Sequence, residues 1–194
     1  MLKIGITGGI GTGKSVVCEL IRNMGYPVFD TDAEAKKLMN HSSVIREKLI
    51  AAFGPDAYQD GMLNRSYLAS VIFQDRNALL VMNSIVHPEV RSCFLDWAAH
   101  QSAPLVFFES AILFESDFYL AADKIWTVTA PEKLRYERVM KRDGSSFEKI
   151  TERMEAQLPQ KEKEARADLI IYNDGNRALI PQVVKAIETA LGMN

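Results

Sequence analysis

Five short apolar runs punctuate the chain, at Leu2–Thr7, 27–29, 105–108, 125–128 and Leu169–Tyr172. Each is followed by a polar or glycine-containing break and then by apolar residues at helical spacing. Continuous apolar runs suit strands buried on both faces, and helical crossovers between them favour a parallel sheet covered by helices on both sides. The pattern predicts an α/β fold of about five parallel strands flanked by helices. The first helix carries Val16, Val17, Leu20, Ile21 and Met24 as its inward stripe, with Gly25 and Pro27 as its stop. In the last helix Val183, Val184, Ile187 and Leu191 face inward, and Pro181 fits only near its first turn.

Two stretches exceed what simple crossovers need. Between the second and third runs lies a long segment of helical pattern with turns at Phe53-Gly54-Pro55 and Asp60-Gly61, which predicts an inserted helical subdomain at about 41–103. His87-Pro88 within it reads as a helix boundary, because the residue before proline is pushed away from helical geometry. After the fourth run, Pro131 fits a helix start, and Ile150, Met154 and Leu158, spaced by four, mark a second helix beyond Asp143-Gly144. This pair could form a mobile lid at about 131–166. The core is then left at about 1–40, 104–130 and 167–194, within one folding unit.

Composition narrows the function. A net charge of −2 lacks the basic excess of proteins that grip a nucleic-acid backbone, so small polyanions are better partners. Cys18 and Cys93 have neither paired-thiol nor metal-ligand spacing and read as buried free thiols, which suits a reducing compartment. The first residues contain no secretion signal, and Glu109, Glu115 and Asp117 interrupt the longest apolar stretch. A cytoplasmic protein without a membrane span is expected; its oligomeric state is not legible.

The chemistry is clearest at Gly8-Gly9-Ile10-Gly11-Thr12-Gly13-Lys14-Ser15, which satisfies G-x-x-x-x-G-K-[ST] directly after a strand and at the opening of a helix. Glycines let successive amides converge on one anion, and the helix N-terminus adds partial positive charge. ATP is the expected ligand, held by Gly9, Gly11, Thr12, Gly13, Lys14, Ser15 and the Val16 backbone. Lys14 would reach the β- and γ-phosphates and the Ser15 hydroxyl would ligate Mg²⁺.

Asp30-Thr31-Asp32 follows the second strand at the sheet edge where ligands of parallel sheets bind. Asp32 is a candidate base for a substrate hydroxyl, while Thr31-x-x-Glu34 reads equally well as a capping box. Glu109 ends the third strand and, like Asp30, could hold a Mg²⁺-bound water or be a solvated strand-end charge. Arg135, Arg138 and Arg142 fall within an arc of roughly 60° on one helix face, with Leu134 and Val139 left to face the core. The row could close over a triphosphate with help from Arg153, or could be a solvated face paired with Glu132 and Glu137. Arg65 and Arg91 are either phosphate contacts for an anionic substrate or ordinary surface charge.

Taken together, these residues resemble dephospho-CoA kinases from end to end. The family's T-G-G-I-G-[ST]-G-K-S opening appears as residues 7–15 and its D-x-D as Asp30-Thr31-Asp32. Asp60-Gly61, Leu63, Arg65 and His87-Pro88 match its insertion, and Ile112-Leu113-Phe114-Glu115 looks like its L-L-F-E segment. Arg138, Arg142 and Asp143 match its lid, and Ala167-Asp168 with Asn173 and Gly175 looks like the ending where the family places adenine. The resemblance implies a P-loop NTPase fold and transfer of the ATP γ-phosphate to the ribose 3′-hydroxyl of dephospho-CoA, giving CoA and ADP. It puts the base on Asp32, with Asp30 supporting, and further catalytic roles on Lys14 and Arg138. It adds Arg142, Asn173 and Gly175 to the ATP contacts, and His87 to Asp32, Arg65 and Arg91 as substrate contacts. Val16 and Ala111 depart from the family's usual hydroxyl residue and proline without removing a catalytic group. Two rival readings are another P-loop small-molecule kinase and a nucleotide-gated switch, although the guanine motif [NT]-K-x-D is missing.

Overall fold

The computed structural model describes residues 1–193. Strand β1 (Leu2–Thr7) leads through the glycine loop into α1 (Lys14–Asn23), and β2 (Val28–Asp30) passes directly into α2 (Thr31–His41). Then come α3 (Ser43–Phe53), a 3₁₀ turn, the short strands β3 (Tyr58–Gln59) and β4 (Met62–Leu63), α4 (Arg65–Gln74) and α5 (Arg76–Ala99). Beyond them lie β5 (Leu105–Glu109), a second 3₁₀ turn, β6 (Lys124–Thr129), α6 (Glu132–Asp143), α7 (Phe147–Glu155), α8 (Gln160–Arg166), β7 (Leu169–Tyr172) and α9 (Leu179–Ala190).

These elements form two compact units, residues 1–30 with 98–194, and residues 31–97. The inserted unit thus begins at Thr31, where the sequence pattern put its start at about 41, because β2 runs into α2 without a loop. Among the described residues, no helix is long and apolar enough to cross a membrane.

In the first unit the five expected strands form one parallel sheet in the order β2-β5-β1-β6-β7. Ile4, Ile6, Leu105, Phe107, Trp126, Val128 and Ile171 from the strands are buried against Val17, Cys18 and Ile21 of α1 and Val183, Ala186 and Ile187 of α9. Each fully buried aliphatic side chain stabilises by about 1.5–3 kcal/mol, so this layer is the main source of the unit's stability. Two expected stripe positions fall outside it: Val16 is 51% exposed and Val184 is exposed, while Cys18 and Ala186 take their places. Val17, Leu20, Ile21 and Met24 of the expected α1 stripe do face this core, and only Val16, rotated about 100° from Val17, is carried to the outer face. The stop of α1 is as expected: Gly25, at φ 88°, donates to Arg22 and Tyr26 donates to Ile21, the paired bonds of a Schellman cap.

The second unit is built on buried Ile45, Leu49, Ala57, Leu68, Val86, Val90 and Phe94. Asp60 and Gly61 both have positive φ and turn the β3–β4 hairpin. Asn40 accepts from Leu63 N–H, the Tyr58 hydroxyl donates to Met39 O, and Arg46 donates to the Asn40 and Gly61 carbonyls, which ties the hairpin to the end of α2. The expected helix boundary at His87-Pro88 is overturned, since α5 runs through Pro88. A proline there forfeits one backbone bond. Val86, Val90 and Phe94, spaced by four and buried on one face, hold the helix together across the gap.

The 131–166 segment contains three helices rather than two. Leu158, placed by its spacing in the second helix, lies in the turn before α8, because Pro159 disfavours helical geometry at the residue preceding it.

Candidate active site

β1 delivers Thr7 to the carboxyl edge of the sheet, and residues 8–13 curl from there to the N-terminus of α1. Gly13, at φ 92°, is its N-cap. Gly11 has φ 80°, and a Cβ there would sit 2.6 Å from the Arg135 carbonyl oxygen, a backbone atom that cannot swing aside. Gly11→Ala should therefore distort the loop, raising the Kd for ATP more than tenfold while the CD spectrum stays native. Calorimetric titration of the variant measures this.

The loop is held from several sides. The Ile10 side chain is buried with Val139 of α6 and Ile150 of α7. Its carbonyl accepts from Arg135 Nε at 2.9 Å, and its N–H donates to Gln157 Oε1 at 2.9 Å. Gly9 N–H donates to Gln160 Oε1 at 2.9 Å, and the Thr12 hydroxyl donates to the Gly9 carbonyl at 2.9 Å. Arg138 Nη2 donates to Asn173 O at 2.9 Å while its Nη1 reaches Gly11 O at 3.4 Å, and Asn173 Nδ2 donates to Thr12 O at 2.9 Å. Among the described residues, the amides of Gly11, Gly13 and Ser15 carry no hydrogen bond to the chain. Lys14 is buried and Ser15 exposed at the head of α1. Uncommitted N–H groups, a helix N-terminus, Lys14 and Arg138 together make a seat for a polyanion.

The expected arginine row is divided by the structure. Arg135, expected with Arg138 and Arg142 on one face that would either close over a triphosphate or be solvated, is buried, and burial lowers its pKa against the opposing pull of Glu132 and Glu164. Arg138 is beside the loop. Arg142 is exposed and pairs with Asp143 at 2.6 Å, which Arg153 also reaches at 2.9 Å. Those two hydrogen-bonded arginines hold the Asp143 carboxyl well below the usual range.

Asp30 and Glu109 are neighbours in the β2–β5 register, at the same sheet edge as the loop. Glu109 also faces Cys18, whose thiol is pushed far up, first by burial and then by that carboxylate, so it is inert. Cys93 is only half-buried, contrary to the expectation that both cysteines lie inside.

At the far end, Asn173 N–H donates to Thr129 O and Gly175 takes φ 84° in an open turn. Asp174 accepts from the Asn176 and Arg177 amides, and the Arg177 guanidinium lies 3.9 Å from the centroid of the Tyr172 ring.

In the second unit, Asp32 is exposed in the first turn of α2 and has no hydrogen-bond or ion-pair partner among the described residues. Glu34, the expected capping-box partner of Thr31, is paired with Lys37. Arg65 is exposed at the start of α4, and His87 and Arg91, four apart on α5, are half-buried.

Sequence reasoning missed the polar scaffold behind the loop. Lys163 is 0% exposed, and its Nζ donates to Glu115 Oε1 and to the Ala111 carbonyl, both at 2.7 Å. Glu115 also accepts Leu158 N–H at 2.7 Å, which fixes the turn that carries Gln157 and Gln160. Nothing in a run of alternating charges singles out Lys163 as buried.

A family model for dephospho-CoA kinase matches residues 2–178. The chain belongs to the dephospho-CoA kinase family. It is an ATP-dependent kinase. A dephospho-CoA kinase of Porphyromonas gingivalis is 46% identical over 190 residues, covering 97% of this chain and 94% of that protein. The crystal structure of TT1252 from Thermus thermophilus is similar at TM-score 0.87 and 38% identity, covering 98% of this chain and 97% of the other. Shikimate kinase from Acinetobacter baumannii, at 15% identity and TM-score 0.55 over 99% of this chain and 94% of that one, shares the P-loop kinase fold.

Proposed function

We propose that the protein transfers the γ-phosphoryl group of ATP to the ribose 3′-hydroxyl of dephospho-CoA, the last step in making CoA. The observation that carries this reading is the glycine loop with its uncommitted Gly11, Gly13 and Ser15 amides, in a chain that belongs to the dephospho-CoA kinase family.

Lys14 and Arg138 neutralise charge on the triphosphate, and Asn173 and Gly175 border the adenine end. Arg142 joins them when its ion pair with Asp143 opens. Asp32 accepts the proton of the attacking hydroxyl, and its exposed, unpartnered carboxylate suits that task. Asp30 supports it, and Arg65, His87 and Arg91 bind the acceptor. Segment 131–166 serves as the lid, with its movement greatest around Arg142, Asp143 and Arg153, since Arg135, Gln157 and Gln160 are bonded to the loop.

Mg²⁺ fits the oxygen donors at this edge. The Ser15 hydroxyl would hold it directly and Asp30 or Glu109 through water, oxygen donors that suit a hard cation. Among the described residues no three His, Cys, Asp or Glu side chains could form a cage of their own, which is the usual situation for a phosphate-bound ion. When bound, it supplies charge neutralisation between the β- and γ-phosphates. Two free cysteines accord with a reducing, cytoplasmic location, and the near-neutral charge with a small-molecule partner rather than nucleic acid.

The test is ADP release from Mg·ATP with dephospho-CoA, adenosine, uridine, shikimate or no acceptor. Release should rise at least about a hundredfold with dephospho-CoA alone, well inside the roughly 10⁴–10⁵-fold discrimination open to a site that hydrogen-bonds its substrate. Equal release with every acceptor would defeat the proposal.

A further inference from the structure

We infer that Gln157 and Gln160 are positioning residues of the phosphate-binding loop: their side-chain carbonyls occupy two loop amides and thereby fix which amides are left for the triphosphate. This rests on the reading that the loop takes ATP.

A glycine-rich loop has many low-energy conformations, and its curl must be imposed from outside. The N–H groups fall into two sets. Those of Gly9 and Ile10 are taken by Gln160 Oε1 and Gln157 Oε1, both at 2.9 Å, whereas those of Gly11, Gly13 and Ser15 stay uncommitted. The partner type matters. A carboxylate would hold the same amides but would place a full negative charge beside the anion site, whereas a neutral amide supplies the acceptor without repulsion. Gln160 uses both ends of its amide: Nε2 donates to Val128 O at 3.3 Å, at the end of β6, and to Glu164 at 3.3 Å. The two glutamines flank Leu158 and Pro159, and the Leu158 amide is pinned by Glu115, itself held by buried Lys163. The glutamines are thus presented from a fixed turn, as a positioning group must be.

The experiment compares wild type with Gln157→Met, Gln160→Met, Gln157→Glu and Lys14→Met, measuring Kd for ATP by calorimetry, KM for each substrate and the thermal midpoint. Each Met variant should raise Kd and KM for ATP about fivefold to tenfold, the worth of one hydrogen bond, with KM for dephospho-CoA unchanged within twofold. A general structural defect would move both. Gln157→Glu keeps the acceptor oxygen, so its deficit relative to wild type at the same salt should shrink as ionic strength rises, while that of Gln157→Met should persist. ATP affinity within twofold of wild type in both Met variants, with affinity lost in Lys14→Met, overturns the positioning role alone. Unchanged ATP affinity in Lys14→Met overturns the loop reading and the inference with it.

Discussion

Asp32→Asn is expected to lower kcat about a thousandfold, within the range for loss of a general base, while the Kd values for ATP and dephospho-CoA change by less than about threefold. Asparagine has nearly the same shape and cannot accept the hydroxyl proton. The wild-type carboxylate is exposed and has no partner among the described residues, so no internal contact is lost and the thermal midpoint should barely move. The rival reading makes Asp32 only a favourable charge in the first turn of α2, worth roughly 0.3–1 kcal/mol of stability. That reading predicts a slightly less stable enzyme with full turnover. Single-turnover kinetics with saturating Mg·ATP, beside a melting curve, separate the two.

Lys163→Met should destabilise the protein by about 3 kcal/mol at pH 7, the lower end of the cost of breaking a buried ion pair. The lower end applies because the Glu115 side chain keeps 24% exposure. The midpoint should fall by about 6–12 °C for a chain of this size. Burial alone would raise the Glu115 pKa, yet bonds from Lys163 and the Leu158 amide outweigh it and hold the carboxyl below its ordinary 4.5. Burial lowers the Lys163 pKa, and Glu115 opposes that. A depressed carboxyl contributes fully above its unfolded value and loses that contribution as pH falls through its folded value. The gap in stability between wild type and variant should therefore be widest near neutrality and close on acidification below about pH 4.5. Urea titrations at pH 7 and pH 4 check this. A gap independent of pH would mean that packing, rather than the ion pair, accounts for the loss.

The strands were legible because both sheet faces are covered, so every strand residue is under the same apolar demand and the runs are unbroken. The glycine loop was legible because its chemistry requires particular residues at fixed spacing. Arg135 and Lys163 were not, since burial of a charge depends on partners far along the chain: Ile10 for one, Ala111 and Glu115 for the other. Gln157 and Gln160 escaped notice because glutamine is common on exposed helices, and only the fold brings their amides to Gly9 and Ile10. His87-Pro88 misled because a local rule about proline lost to a row of buried residues four apart. The carboxylates at the sheet edge stood between, placed by strand pattern with catalytic and structural roles both open, and the resemblance favoured Asp32 as the base.

The most direct measurement is the identity of the product formed from ATP, Mg²⁺ and dephospho-CoA. Mass spectrometry should find one added phosphate, and phosphorus NMR should couple it to the ribose 3′ proton. ADP release without a change in dephospho-CoA, or a phosphate on another hydroxyl, would contradict the account.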